Sequence, residues 1–236
     1  MKIALIGYGK MGRAIEAIAR KERIEVVATF KNGDDLDVLK NKEVDVAIEF
    51  TQPDAAFDNI TFCINQGIPV ISGTTGWTSQ LESIKALCEE KNGTFLYASN
   101  FSIGVNLFFE LNRWLAKRMQ MLGFKPEITE IHHTEKKDSP SGTAITLAEG
   151  ILASNPAFED WINEKSADHK KIGIISERKP NVPGTHTVSY SSQMETISIN
   201  HEAHSRDVFA QGVIKVAQWI TNQQGFLTMS DFINHK

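Results

Sequence analysis

Apolar and polar positions along the first hundred residues alternate between two periods. Ile3-Ala4-Leu5-Ile6 is a short unbroken apolar run, the pattern of a parallel strand buried on both faces. Met11, Ala14, Ile15, Ile18 and Ala19 then recur at helical spacing. Residues 26–30 and 46–50 predict two more strands, and Pro53 opens a helix that runs toward Asn65 and is stopped by Gly67. Residues 68–71 are the next strand, with Pro69 near its start. Ser79 and Glu82 have capping-box spacing ahead of Leu81, Ile84, Leu87 and Cys88, and residues 95–98 form a further strand. This rhythm predicts a parallel sheet with helices on both faces.

The rhythm then changes. Residues 105–121 read as a long amphipathic helix carrying Leu107, Phe108, Leu111, Leu115 and Met119. Residues 127–133 predict a strand and 143–152 a helix, while the polar stretch 156–171 predicts a loop or short helix. Residues 172–176, 185–191 and 195–200 predict strands with no clear helix between them, hence a mixed or antiparallel sheet in a second, α+β domain. Residues 207–220 form a closing helix, expected to return to the first domain so that the second is an insertion. The expected fold class is α/β, with boundaries at 1–103 plus 207–236 and at 104–206.

Composition narrows the field. With 236 residues, 41% hydrophobic and 23% charged, the chain is neither disordered nor fibrous. A net charge of -4 without a Lys/Arg stripe argues against a nucleic-acid partner. No run approaches the roughly 18 apolar residues that span a bilayer, and the apolar run at residues 3–6 is too short for a secretory signal. Cys63 and Cys88, the two cysteines, form no disulfide framework or CxxC site and read as buried structural thiols. A soluble cytoplasmic protein with no membrane partner is expected.

Gly7-Tyr8-Gly9-Lys10-Met11-Gly12 is G-x-G-x-x-G, placed where that motif requires, between a buried strand and a helix. The first glycine permits the tight turn and the second lets backbone approach a pyrophosphate. The third packs helix on strand, and helix N–H groups hold the phosphates. An acid that would grip the adenosine ribose belongs at the end of the second strand, but that place holds Phe30-Lys31. Lys31 can pair with a 2′-phosphate, so NADPH as well as NADH is a candidate cofactor. Gly73-Thr74-Thr75 and Ala98-Ser99-Asn100-Phe101 follow later strands, at the carboxyl edge where open α/β sheets bind ligands, and are expected to contact the nucleotide.

The most informative segment runs from Ile131 to Thr143. His132 and His133 end a strand and point to opposite faces, which makes them poor joint ligands for a metal; with no HExxH and no third ligand nearby, no metal site is expected. A histidine can instead exchange a proton near neutral pH, and Lys136 just beyond can supply a proton or a positive charge. Pro140-Ser141-Gly142-Thr143 leads into a helix whose exposed N–H groups suit a carboxylate. The cluster His201 to Asp207 reads as a polar junction and cap rather than a metal site, and Trp114, Trp161 and Trp219 as packing or interface residues.

GYGKMG, SGTTGW, YASNFSIGVN, EIHHTEKKDSPSGTA and INHEAHSRDVFAQGVIKVAQWI together resemble the 4-hydroxy-tetrahydrodipicolinate reductase (dihydrodipicolinate reductase) family of the diaminopimelate–lysine pathway, nearly end to end. The resemblance implies a Rossmann domain plus an α+β domain for substrate binding and oligomerisation, and a homotetramer. It implies hydride transfer from NADPH or NADH to C4 of a small cyclic dicarboxylate, after loss of the 4-hydroxyl as water. His132 matches the family's proton donor/acceptor, Lys136 its proton donor, and His133 a substrate contact. Gly142 and Thr143 match the pair whose backbone holds a substrate carboxylate, with Ser141 in the same turn. Gly7 to Gly12, Gly73 to Thr75 and Ala98 to Phe101 match cofactor contacts. The chain departs from the family in a first turn one residue shorter, in Lys31, in a shorter 156–171 stretch, and in a 179–186 loop that keeps only Gly184 and His186 of the usual pattern. Two other readings stand beside this one: a different two-domain dehydrogenase, including an acylating type that needs a catalytic thiol, and a non-catalytic nucleotide sensor.

Overall fold

The computed structural model describes residues 1–31 and 33–235. The chain divides into two compact units, Met1–Ile103 with Asp207–Lys236, and Gly104–Arg206.

The first unit is built on a six-stranded sheet. Its strands are β1 (Lys2–Ile6), β2 (Glu25–Phe30), β3 (Val46–Glu49), β4 (Val70–Ser72), β5 (Thr94–Tyr97) and β11 (Gly225–Leu227), in the order β11-β5-β4-β3-β1-β2. Every pairing is parallel, and the strand order reverses between β1 and β3. Period two along β1 sends alternate residues to opposite faces. Ile3 and Leu5 pack with Ile15 and Ala19 of α1 (Lys10–Lys21) and with Val213, Ile214 and Ala217 of α6 (Asp207–Ile220). Ala4 and Ile6 pack instead with Ile60 of α2 (Pro53–Asn65) and Ile84 of α3 (Leu81–Glu90). Both faces are thus covered, which is why the strands read as unbroken apolar runs.

The second unit has a five-stranded mixed sheet, order β10-β9-β6-β8-β7. β6 (Lys125–His132) runs antiparallel to β9 (Gly184–Ser191) and parallel to β8 (Lys171–Arg178); β10 (Thr196–Ala203) flanks β9, and β7 (Asp160–Ile162) flanks β8. One face is sealed by α4 (Ile103–Arg118) and α5 (Gly142–Ser154), with Phe108, Leu115, Leu147 and Ile151 meeting Ile128, Ile174, Val188 and Tyr190.

Three local expectations are corrected, and two short elements went unpredicted. Ser79 and Glu82 form no capping box. Trp77 is buried with its indole N–H on the Thr74 carbonyl at 2.7 Å, and a 3₁₀ turn at Thr78–Gln80 feeds directly into α3. The 156–171 stretch contains β7, whose three residues are too few to show a period. β11 and α7 (Met229–Asn234) escaped the periodicity reading for the same reason, although Thr228 and Asp231 form the capping box of α7. On α4 the apolar stripe divides: Phe108 and Leu115 are buried, whereas Leu107, Leu111 and Trp114 are about half exposed, at 49%, 46% and 57%.

Candidate active site

In the first unit the glycine turn sits where the strand order reverses. Gly7 adopts φ +101°, and a Cβ there would stand 1.9 Å from the Phe50 carbonyl oxygen. A Cβ on Gly12 would stand 2.4 Å from the Gly7 carbonyl oxygen. At Gly7 and Gly12 the turn therefore has room for backbone alone, while a Cβ on Gly9 would meet nothing within 4 Å. Gly9 caps α1 with no side-chain hydrogen bond, and the first turn carries no acid. Its N–H groups are left for an anion, so the residues present fit a dinucleotide pyrophosphate. Lys10 and Gly9 are exposed, Met11 packs against the core, and the Tyr8 hydroxyl donates to Glu16.

Phe50 joins the three strand-end loops. Its carbonyl abuts Gly7, its ring would collide with a Cβ on Gly73 at 2.1 Å, and it packs on Phe101 with ring centroids 5.7 Å apart. Thr74 and Ala98 are buried while Thr75 and Ser99 are exposed, and Asn100 Oδ1 accepts from the Ser102 N–H at 2.9 Å. A cavity of about 320 Å³ opens beside β2 and is lined by Lys31, Asp34, Thr51, Asp54 and Asp58 among others. Lys31 is exposed, and its backbone N–H donates to Asp34 Oδ2 at 2.7 Å. The acid nearest the end of β2 in that lining is thus Asp34, three residues beyond Lys31.

In the second unit β6 alternates half-buried and buried positions along its whole length, which places Ile128, Glu130 and His132 on its inner face. Glu130 is fully buried, and its Oε2 meets His132 Nδ1; neither atom has another hydrogen-bond partner among the described residues. Glu130 Oε1 accepts from Arg178 Nη1 at 3.0 Å. Burial by itself raises this carboxyl, but His132, Ser176 and Arg178 outweigh it and hold the group down at about 2. Antiparallel pairing sets His186 opposite Glu130, and its ring stands edge-on to His132 with centroids 5.0 Å apart. Burial, then the neighbouring His132, pushes His186 down to about 3, so it is neutral at ordinary pH. His186 Nε2 bonds the Ser141 hydroxyl at 3.1 Å, and Ser141 Oγ caps α5 by accepting the Ala144 N–H at 3.2 Å.

Lys136 does not pair with His132; its ammonium binds both Asp138 oxygens, at 2.9 and 2.7 Å. The two are linked through Arg178, which also donates to the Asp138 carbonyl at 2.7 Å. Gly142 is exposed and Thr143 half-buried at the start of α5. His133 looks away from this cluster and meets Arg206 Nη2 at 2.8 Å, beside a cavity of about 330 Å³ lined by Thr134, Glu135, Pro183 and Arg206.

The expectation that no third metal-type donor stands near His132 is corrected: Glu130, His132 and His186 bring such atoms within 4.8 Å of one another. Sheet register, invisible to local spacing, supplies the third. Arg178 on the carboxylate and Ser141 on His186 Nε2 make the arrangement present a proton-holding network. Glu130 itself was missed, although a Glu and a His two apart on a strand share a face.

A doubly wound parallel sheet with a glycine turn at its switch point, followed by an inserted mixed-sheet unit, defines an oxidoreductase of the nicotinamide-nucleotide type. The profile described as dihydrodipicolinate reductase, N-terminus, matches residues 1–101, and that of its C-terminus matches residues 104–233. The chain belongs to the dihydrodipicolinate reductase family. The 4-hydroxy-tetrahydrodipicolinate reductase of Christiangramia forsetii is 47% identical over 237 residues, which covers 99% of this chain and 98% of that one. The enzyme of the same name from Archaeoglobus fulgidus is 34% identical, covering 99% of this chain and 100% of its own. Dipicolinate-bound dihydrodipicolinate reductase from Paenisporosarcina sp. TG-14 shares the fold with a TM-score of 0.83 at 24% identity over 97% of each chain. An amine dehydrogenase from Mycobacterium smegmatis shares it at 0.65 and 8% identity, over 97% of this chain and 95% of that one.

Proposed function

We propose that the chain is a reductase of 4-hydroxy-tetrahydrodipicolinate that uses NADPH or NADH. The first unit binds the nucleotide through Gly7 to Gly12, Lys31, Gly73 to Thr75 and Ala98 to Phe101. The second unit binds the cyclic dicarboxylate, with one carboxylate on the N–H groups of Gly142 and Thr143 in the turn that Ser141 caps, and with His133 and Lys136 as further contacts. The nicotinamide, when bound, supplies the hydride. His132 and Lys136 handle the protons: reduction of a conjugated imine leaves an enamine carbon that must be protonated, and loss of the 4-hydroxyl as water needs a proton on oxygen. Lys136 also supplies the positive charge that a dicarboxylate requires. The rest of the reading is a cytoplasmic homotetramer; no helix among the described residues is long and apolar enough to cross a membrane.

The observation that carries the proposal is the setting of His132. Its Nδ1 is held by a buried carboxylate, while its Nε2 lies against Gly184, where a Cβ would stand only 3.0 Å away. An imidazole fixed at one nitrogen is oriented to exchange a proton at the other. An acylating mechanism finds no support, because Cys63 is buried and burial, aided by Glu49, pushes its thiol up to about 12.

The test is a coupled assay in which synthase-generated substrate is added to the pure protein and absorbance loss is followed for each cofactor. Turnover by the wild type and its loss in His132→Gln, with cofactor affinity retained, is the expected result. Wild-type turnover in His132→Gln removes this residue from the mechanism. Nucleotide binding without oxidation would make the protein a sensor.

A further inference from the structure

β3 ends in a carboxylate sealed inside the first unit. Glu49 is fully buried, yet its partners are all neutral donors. Ser72 Oγ donates to Oε2 at 2.5 Å. Thr74 Oγ1 donates to Oε1 at 2.9 Å, the Thr51 N–H does so at 3.0 Å, and the Thr51 hydroxyl also donates to it. The Gly73 N–H completes the set by donating to the Glu49 backbone carbonyl at 3.0 Å. Three consecutive residues, Ser72, Gly73 and Thr74, are therefore gripped by one residue of the neighbouring strand. A carboxyl group without water is costly to bury unless its lone pairs are used, and here they are. Glycine packing alone would set the backbone of this loop, so the carboxylate does something more specific.

We infer that Glu49 is a positioning residue for the nicotinamide half of the cofactor, a role that rests on the nucleotide reading above. A hydroxyl has one hydrogen to donate. Glu49 takes the hydrogen of Thr74, whose oxygen also accepts from the Thr51 N–H at 2.8 Å, so what this oxygen keeps for a ligand is one remaining lone pair, an acceptor. The loop after β4 is thereby set to receive hydrogen-bond donors, which is the character of ribose hydroxyls and of a carboxamide –NH₂. Its place in the sheet agrees. The phosphate turn follows β1 and the Lys31–Asp34 cavity lies on the β2 side. The other half of an extended dinucleotide runs across the carboxyl edge toward β4.

Equilibrium binding of NADH, read by its fluorescence, and of ADP, read calorimetrically, tests this in the full chain. Glutamine at 49 brings its own N–H donors and forces a hydroxyl to turn over. Glu49→Gln is expected to weaken NADH about tenfold while changing ADP by less than about twofold. Thr74→Val removes one oriented hydroxyl with little change of shape and is expected to show the same split to a smaller extent; it carries the test if the glutamine variant does not fold. Unchanged NADH affinity in both variants overturns the inference, as does an equal loss of NADH and ADP, which marks a purely structural role. A wild-type protein that binds neither ligand overturns the nucleotide reading itself, a distinct result.

Discussion

Glu130 and His132 stand two residues apart on β6 and meet on its buried face, carboxylate Oε2 to imidazole Nδ1. The contact holds the ring at Nδ1 and leaves Nε2 for the proton exchange proposed above. Arg178 holds the other carboxylate oxygen and, through the Asp138 carbonyl, the loop that carries Lys136. Glu130→Gln keeps the shape and removes the charge. Its turnover is expected to fall on the order of 100-fold. Cofactor affinity, measured by fluorescence, is expected to stay at the wild-type value, because the nucleotide is proposed to bind the other unit. A variant in which affinity falls together with turnover would place the effect in folding rather than in His132.

The same cluster is expected to make the protein labile to acid, and the sign follows from two depressed values. His186 titrates at about 3 in the fold against 6.5 when exposed, so between these values the unfolded chain binds the extra proton and stability falls as pH falls. Glu130 sits at about 2 against 4.5, so its contribution is complete above 4.5 and is lost as pH drops toward 2. Urea unfolding midpoints are expected to decline from pH 6.5 downward, each proton contributing a slope of at most about 1.4 kcal/mol per pH unit. His186→Gln is expected to flatten the decline between pH 6.5 and 4.5 and leave the steeper loss below it. An unchanged slope in that upper window would show that His186 is not the neutral group.

How much of this was legible depended on distance along the chain. α6 runs over Asp207–Ile220, the span that apolar spacing predicts, and β1 follows from four apolar residues. The glycine turn and the Ser141 cap are local signals and read correctly as a turn and a helix start. The proton-holding network was only half visible. Glu130 and His132 share a face by simple alternation, but Arg178 reaches them through β8 pairing and His186 through β9. Register between strands some fifty residues apart leaves no mark in local spacing. Glu49 was hidden for another reason: it closes an apolar run, and its partners come from the next strand and its loop.

Cofactor choice is expected to lie in the cavity beside β2. Lys31 there faces a lining that includes Asp34, Asp54 and Asp58. A 2′-phosphate needs the lysine and is repelled by the acids, whereas a ribose diol donates to a carboxylate. Lys31→Ala is therefore expected to raise the Michaelis constant for NADPH on the order of tenfold more than that for NADH. Asp34→Asn is expected to shift the ratio the other way. Steady-state kinetics with both cofactors decides the matter, and equal effects of Lys31→Ala on the two would remove the lysine from phosphate recognition.

Gly212 offers the sharpest test of how the closing helix supports the nucleotide loops. A Cβ at this position on α6 would stand 1.8 Å from the carbonyl oxygen of Phe101 and 2.8 Å from its carbonyl carbon. Phe101 is buried and packs at a tilt against Phe50, whose own carbonyl abuts Gly7. The obstacle is backbone, so no side-chain rotation relieves it, and the helix or the loop must shift. Gly212→Ala is expected to destabilise the protein by about 3 kcal/mol, at the upper end for overpacking and despite the better helix propensity of alanine. It is also expected to weaken nucleotide binding in the fraction that folds, since the displaced loop is one proposed to contact it. Chemical denaturation and cofactor titration on the same preparation separate the two effects. A variant as stable as the wild type would show that α6 and the Phe101 loop are less tightly joined than this contact requires.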